Sequence, residues 1–298
     1  MSRTRTQSDE SDHEQLVRGY SGRLLTGLSV GYLLIQLGRN VLPPLLPAIR
    51  TNLDLTSFQA GSALTILTVA YALSMYPGGR LSDALTRKTV LVSSLIITTL
   101  GSGLILLANG YQLFVIGVAT FGLGAGLYWI SLRALLTDLF SARRGQAFGI
   151  QDAVGFIGPI AAAGVAILVL AYATWRTVFP ALILIFTVLL AMAHRWVRSD
   201  YALSGVEMNL RSTGERVLGD THVLSLLLSY SCIVFAMQSV IGFLPTYLQV
   251  TKDFSPTLAS VGFAVLFAGA TSSMPLAGYL GDRFPHAPVA VGVLVVCL

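Results

Sequence analysis

The sequence predicts an all-α, polytopic membrane protein: a six-helix bundle followed by part of a second bundle. Three observations carry this. Of 298 residues, 54% are hydrophobic and only 11% charged, with a mean hydropathy of +0.73, against roughly 25% charged in soluble domains. The apolar residues fall in runs long enough to cross a bilayer, joined by short polar connections. A Gly-x-Leu-x-Asp turn that follows one such run, Gly79 to Asp83, returns as Gly278 to Asp282, again directly after an apolar run.

In chain order, residues 1–22 are polar, with Asp9, Glu10, Asp12 and Glu14 in a Ser-rich setting. No apolar core with a small-residue cleavage site follows, so they predict a cytoplasmic tail rather than a signal peptide. Apolar runs at 24–46, 58–77, 90–108, 113–136, 147–172 and 178–192 make six spans, one bundle over 23–197. Residues 198–221 carry Glu207, Arg211, Glu215 and Arg216 without a long apolar run and predict a cytoplasmic linker. Two further spans, 223–248 and 258–280, and the start of a ninth at Val289 give an incomplete second bundle over 222–298.

Basic residues set the expected orientation. With the amino terminus inside, Arg3, Arg5, Arg18, Arg23, Arg80, Arg87, Lys88, Arg143, Arg144, Arg195, Arg198, Arg211, Arg216 and Arg283 all fall in cytoplasmic segments. Only Arg50, Arg176 and Lys252 fall outside, and Arg39 and Arg133 lie within spans. A bias of that size predicts a cytoplasmic amino terminus in the cell membrane. The same positive-inside bias explains the net charge of +5 and pI near 9.4 without nucleic-acid binding.

The stretch Pro77-Gly-Gly-Arg-Leu-Ser-Asp-Ala-Leu-Thr-Arg-Lys88 reads as a short polar connection. Gly79 would let two helix ends approach, Asp83 would put a negative charge at the bilayer surface, and Arg87 with Lys88 would favour the cytoplasmic side. With its second copy, Gly278-x-Leu280-x-Asp282-Arg283, it resembles the signature loop between the second and third helices of the major facilitator superfamily of secondary transporters. Ala84 stands where that family usually has Arg, and Thr86 where it has Gly.

The resemblance implies an alternating-access transporter fold built from two parallel six-helix repeats. The repeat is visible in Pro44 and Gly61 before the first turn and Pro245 and Gly262 before the second, each pair 17 residues apart. It also implies about three and a half further helices, so that the chain reads as truncated in its second half. Gly79, Leu81, Asp83, Arg87, Lys88, Gly278, Asp282 and Arg283 become a gating motif. Asp83 is expected to face a helix start in the second bundle, and Asp282 the start of the fifth span near Gly145. Asp138, at the cytoplasmic end of the fourth span, is placed to pair with Arg87.

Charges inside spans are expensive, about 2.5–3.5 kcal/mol each on insertion scales, and tend to face cavities. Tyr32, Gln36 and Arg39 form one polar stripe on the first span, and Trp129, Arg133 and Thr137 another on the fourth. Asp152, beside Gln151, is the acid away from a helix end and the candidate proton-coupling residue. Gln238 joins Tyr32, Gln36, Arg39 and Arg133 as a candidate solute ligand. Arg39, followed eight residues later by Pro47, resembles the first helix of anion-transporting branches of the superfamily, and Arg133 sits near a fourth-helix Arg of organic-anion symporters. Guanidinium groups hold oxyanions in a bidentate fork. The opposing reading is that both arginines snorkel to the nearer surface.

Other motifs point to packing. Gly122-Leu-Gly124-Ala-Gly126 lies inside an apolar span with no preceding strand, as a small-residue packing face would. Gly155-Phe-Ile-Gly158-Pro159 is similar in part to a motif of proton-coupled drug antiporters, and reads first as a Pro kink between packed helices. Cys232 and Cys297 have no metal-like spacing. Walker, His-Glu-x-x-His and Gly-x-Ser-x-Gly patterns are absent, so neither enzyme chemistry nor a metal or cofactor is expected. The function expected is a proton- or exchange-coupled carrier of a small organic or phosphorylated anion. A drug or metabolite efflux antiporter and a truncated, non-transporting membrane protein are the alternatives.

Overall fold

The computed structural model describes residue 16, residues 19–197, residue 215 and residues 218–284. The acidic tail, most of the linker and the ninth apolar run lie outside the described residues. The side chains of Asp83 and Gln238 do so as well.

The helices run as α1 (Gly19–Asn40), α2 (Leu42–Asn52), α3 (Ser57–Ala84), α4 (Arg87–Leu106), α5 (Tyr111–Leu139), α6 (Arg144–Tyr172), a 3₁₀ turn (Trp175–Thr177), α7 (Val178–Trp196), α8 (Thr221–Val250) and α9 (Pro256–Arg283). No strand occurs among the described residues. The chain separates into two compact units, Met1–Val206 with Ser273–Leu298, and Glu207–Ser272. The first holds α1 to α7 and the last turns of α9; the second holds α8 and the start of α9.

The expected first span over 24–46 is broken at Val41. Pro43 and Pro44 open α2, and neither has an N–H to offer the carbonyls of Arg39 and Asn40, so the helical ladder cannot run through. Five described helices are long and apolar enough to cross a membrane: Ser57–Ser82, Arg87–Leu106, Tyr111–Leu139, Arg144–Tyr172 and Trp175–Trp196. The polar stripe of α1 leaves it outside that set. Helices α8 and α9, at 30 and 28 residues, are also of membrane-crossing length.

The polar connection expected over 77–88 contracts to two residues. Helix α3 continues through Pro77 and both glycines to Ala84, ending where the Leu85 amide donates to the Leu81 carbonyl at 2.8 Å. In a bilayer every backbone polar group needs an internal partner, which favours extending the helix over opening a loop. Thr86 then caps α4, accepting from the Thr89 amide at 3.4 Å. That is a use for the residue standing where the family usually has Gly. Thr56 opens α3 with a reciprocal capping box to Gln59, at 3.2 and 2.9 Å.

Helix α5 is the centre of the first unit, packed against α3 on one side and α4 on the other, while α1 lies along α6 and α7 along α4. Its glycines make those contacts possible. A Cβ on Gly122 or Gly126 would run into the α3 backbone at Leu67 or Tyr71, and one on Gly124 would strike Thr98 of α4. The Gly122–Gly126 stretch is therefore a packing face. Phe114, Phe121 and Tyr128 of α5 are fully buried, and the Tyr128 hydroxyl donates to the Leu28 carbonyl of α1 at 2.8 Å. On the outer faces, Leu73, Leu100, Ile116, Ile167, Leu168 and Leu184 stand exposed. An apolar exterior of that extent is untenable in water and ordinary in lipid.

Candidate functional site

Tyr32, Gln36 and Arg39 share one face of α1, and Gly155 and Gly158 of α6 seat it. A Cβ on Gly155 would collide with the Tyr32 ring, and one on Gly158 would lie 2.6 Å from the Gln36 Cβ. The Gly155–Pro159 motif thus serves close approach of α1 and α6. One turn further along, the Arg39 guanidinium lies over the Tyr71 ring of α3, 4.3 Å from its centroid. No described carboxylate pairs with Arg39. The Gln36 Oε1 is buried without a hydrogen-bond partner.

Arg133 of α5 reaches Asp152 of α6. Its Nη2 stands 2.6 Å from both carboxylate oxygens, and the side chains are 28% and 31% exposed. The guanidinium is flanked by Phe148 at 4.6 Å and Trp129 at 5.1 Å from the ring centroids. Its Nε is buried without a partner, as are both polar atoms of the Gln151 amide. An unsatisfied buried group of this kind costs roughly 1–3 kcal/mol. Among the described residues the interior therefore sets two guanidiniums, Arg39 and Arg133, against the Asp152 carboxylate, with spare polar atoms beside them: a setting that favours a bound anion.

Sequence reasoning found Tyr32, Gln36, Arg39, Arg133 and Asp152 as separate candidates. It missed that Arg133 and Asp152 form one ion pair, and it missed Tyr71 and Phe148. A weak signal existed in each case. Tyr71 is the aromatic residue within the largely aliphatic run 63–75, and Phe148 precedes Asp152 by one helical turn.

The gating residues divide. Asp282 caps α6, accepting from the Gly145 amide at 2.7 Å and the Gln146 amide at 2.9 Å. This is the place expected for it, where free N–H groups and the helix dipole favour a carboxylate. Gly278 allows the approach, since a Cβ there would meet the Gly145 carbonyl. Arg283 lies over Tyr279, 4.6 Å from its centroid. Arg87 pairs with Asp138 at 3.0 Å and also donates to the Ser82 carbonyl. No described atom lies within 4 Å of where a Cβ on Gly79 would sit; the close approach between the described residues is at Gly278. Asp83 and Gln238 lie on α3 and α8, their side chains outside the description.

At the opposite end of the unit, Arg176 donates to Asn52 and, at 2.6 Å, to the Ala108 carbonyl, while Trp175 Nε1 donates to Asn52 at 3.2 Å. One arginine thereby ties the end of α2 and the α4–α5 and α6–α7 connections together.

These features define a multi-pass, all-α membrane protein with a charged interior between α1, α3, α5 and α6. The family model described as Major Facilitator Superfamily matches residues 28–298, and the chain belongs to that family. It is 28% identical over 269 residues to a probable 4-methylmuconolactone transporter of Cupriavidus pinatubonensis, a match covering 85% of this chain and 61% of the relative. A phosphoglycerate transporter protein of Salmonella typhimurium is 23% identical over 94% of this chain and 68% of its own length. Among solved structures, the superfamily transporter FucP in its outward conformation superposes with a TM-score of 0.65 at 17% identity, covering 88% of this chain and 72% of that one. The chain thus spans about six-tenths to seven-tenths of these proteins.

Proposed function

We propose that this chain belongs to a carrier moving a small organic or phosphorylated anion across the cell membrane by alternating access, coupled to protons or to an exchanged solute. The observation that carries this reading is Arg39: a cation inside the bundle, stacked on Tyr71, with no described carboxylate to neutralise it. An oxyanion meets that need through charge-assisted hydrogen bonds, which guanidinium groups form in pairs. Gln36 adds a buried amide on the same stripe. The phosphoglycerate transporter relative is in keeping with such a solute.

In this mechanism Asp152 is the proton-accepting group. Ionised, it holds Arg133; protonated, it releases Arg133 to join Arg39 on the anion, so a proton and an anion travel together. Gln238 of α8 is a further candidate ligand. Asp282 on the start of α6, with Arg87 on Asp138, holds one of the two access states; Gly278 admits Asp282 to its place, and Leu81, Asp83, Lys88 and Arg283 belong to the same latch. The basic residues at 80–88, 143–144, 195 and 283 support placing that end, and the amino terminus, in the cytoplasm. The alternative, a drug or metabolite efflux antiporter, rests on the Gly155–Pro159 motif, whose Gly155 and Gly158 also seat α1.

The test is uptake of organic and phosphorylated anions by the full-length protein in proteoliposomes. Arg39→Lys keeps the charge but loses the fork, and is expected to weaken uptake of an anionic solute by ~10-fold or more, the worth of a charge-assisted hydrogen bond. Unchanged uptake, or transport restricted to cations, refutes the proposal. Asp282→Asn removes a helix-capping charge worth roughly 0.5–2 kcal/mol. Labelling of a cysteine introduced near Gly145 should rise as that end opens more often.

A further inference from the structure

We infer that the groove between α1 and α7 is a binding site for an anionic phospholipid, with the phosphate on Arg23 and Arg195 and one acyl chain in the trough below. The site stands apart from the charged interior and carries no part of the proposed transport chemistry.

Its upper part is a recess of about 150 Å³ formed by Tyr20, Arg23, Leu24, Arg195 and Trp196. Arg23 and Arg195 are both exposed, and neither is paired with a carboxylate among the described residues. Arg23 uses its Nε on the Gly19 carbonyl at 3.2 Å, which steadies the side chain and leaves the other guanidinium nitrogens for an anion.

Below this mouth, and sharing Arg23 and Trp196 with it, runs a cavity of about 700 Å³, within the range of roughly 300–1,000 Å³ typical of ligand sites. Its walls are apolar: Val30 and Leu34 from α1, Leu184, Val188 and Met192 from α7. Thr26 is the hydroxyl in the wall, and it is bonded to the Gly22 carbonyl at 2.9 Å. Trp196 folds its ring onto Gly27, 2.7 Å from where a Cβ would stand, so the glycine makes room for the ring at the top of the groove.

The dimensions identify the occupant. From Arg23 to Leu34 is eleven residues, and from Trp196 back to Leu184 is twelve, which at 1.5 Å per residue gives a trough of about 16–18 Å. That is close to half of a hydrocarbon core about 30 Å thick, the depth one leaflet's acyl chain occupies. An occupant with one charged end and one long apolar tail satisfies both parts. A free phosphate would leave the trough empty, and an apolar helix would leave two arginines facing hydrocarbon.

The full-length protein, purified in detergent, should be examined by native mass spectrometry with phosphatidylglycerol and phosphatidylcholine of matched chains. Retention of phosphatidylglycerol in preference to phosphatidylcholine is expected, at roughly five-fold per arginine. The preference should vanish in the double variant Arg23→Gln, Arg195→Gln. Val30→Trp, which fills the trough but keeps both arginines, should lower retention of both lipids several-fold. Soluble glycerol 3-phosphate should fail to displace the bound lipid. Equal retention of the two lipids by the unaltered protein overturns the inference, as does a preference that survives loss of both arginines. Displacement by glycerol 3-phosphate overturns it too, because the site would then be a phosphate site without use of the trough.

Discussion

Arg39 and Arg133 are the same side chain in the same bundle, and each stands against an aromatic ring, yet only Arg133 is joined to a carboxylate. The reason lies in the neighbouring helices. Arg133 comes opposite Asp152 where α5 and α6 face each other near one end. Arg39, on the last turn of α1, comes opposite α3, which offers a tyrosine. The difference separates a group whose charge a carboxylate neutralises from one that no described carboxylate reaches. A polar stripe on one helix does not reveal which is which; only the facing helix decides.

The comparison breaks most severely if Arg133 loses its partner role. Arg133→Ala leaves Asp152 as a lone carboxylate in the bundle. Breaking a fully buried pair costs roughly 3–5 kcal/mol, and exposure of about a third of each side chain here reduces that to about 2 kcal/mol. The expected result is a Tm several degrees lower in detergent. Asp152→Asn in the Arg133→Ala background should recover most of the loss, since the uncompensated charge is then gone.

A smaller effect comes from making Arg39 resemble Arg133. Gln36→Glu sets a carboxylate one helical turn from Arg39, within reach of the guanidinium. If Arg39 receives the solute, neutralising it raises the KM for an anion by about 5- to 10-fold, with Tm little changed. A KM that stays level would show that the two arginines do not differ in the way proposed.

The smallest effect tests the ring. Tyr71→Leu keeps the apolar bulk and removes the π-face under Arg39, an interaction worth about 0.5–1 kcal/mol for a cation that keeps some exposure. About two- to five-fold weaker anion uptake is expected. Trp129→Leu should do less, because the Asp152 carboxylate, rather than the indole, fixes Arg133.

Much of the architecture was legible in the sequence. Apolar length gave the spans, and charge cost singled out Arg39, Arg133 and Asp152, because few residues are tolerated in hydrocarbon without purpose. The Asp282 contact near Gly145 was readable through the family resemblance of the repeated turn, and the Arg87–Asp138 pair from the place of Asp138 near the cytoplasmic end of its span. Three features were not. The ion pair between Arg133 and Asp152 depends on the rotation of α5 against α6, which no spacing within either helix reports. The reach of α3 through Pro77 to Ala84 ran against the helix-breaking reputation of Pro and Gly, a rule formed in water, where an exposed backbone group finds a partner. Gly79 and Gly278 occupy equivalent positions in their turns, yet among the described residues a neighbouring backbone meets Gly278 and none meets Gly79.

The seating of α1 on α6 has a mechanical outcome. With Tyr32 and Gln36 lodged against Gly155 and Gly158, the two helices interlock into one beam and resist sliding past each other. Asp282 grips that beam at Gly145, about 15 Å of helix from Gly155. A tug at the grip is thereby passed to the tyrosine and the amide together, and Ala in place of Gly155, whose Cβ would meet the Tyr32 ring, would prise the beam apart.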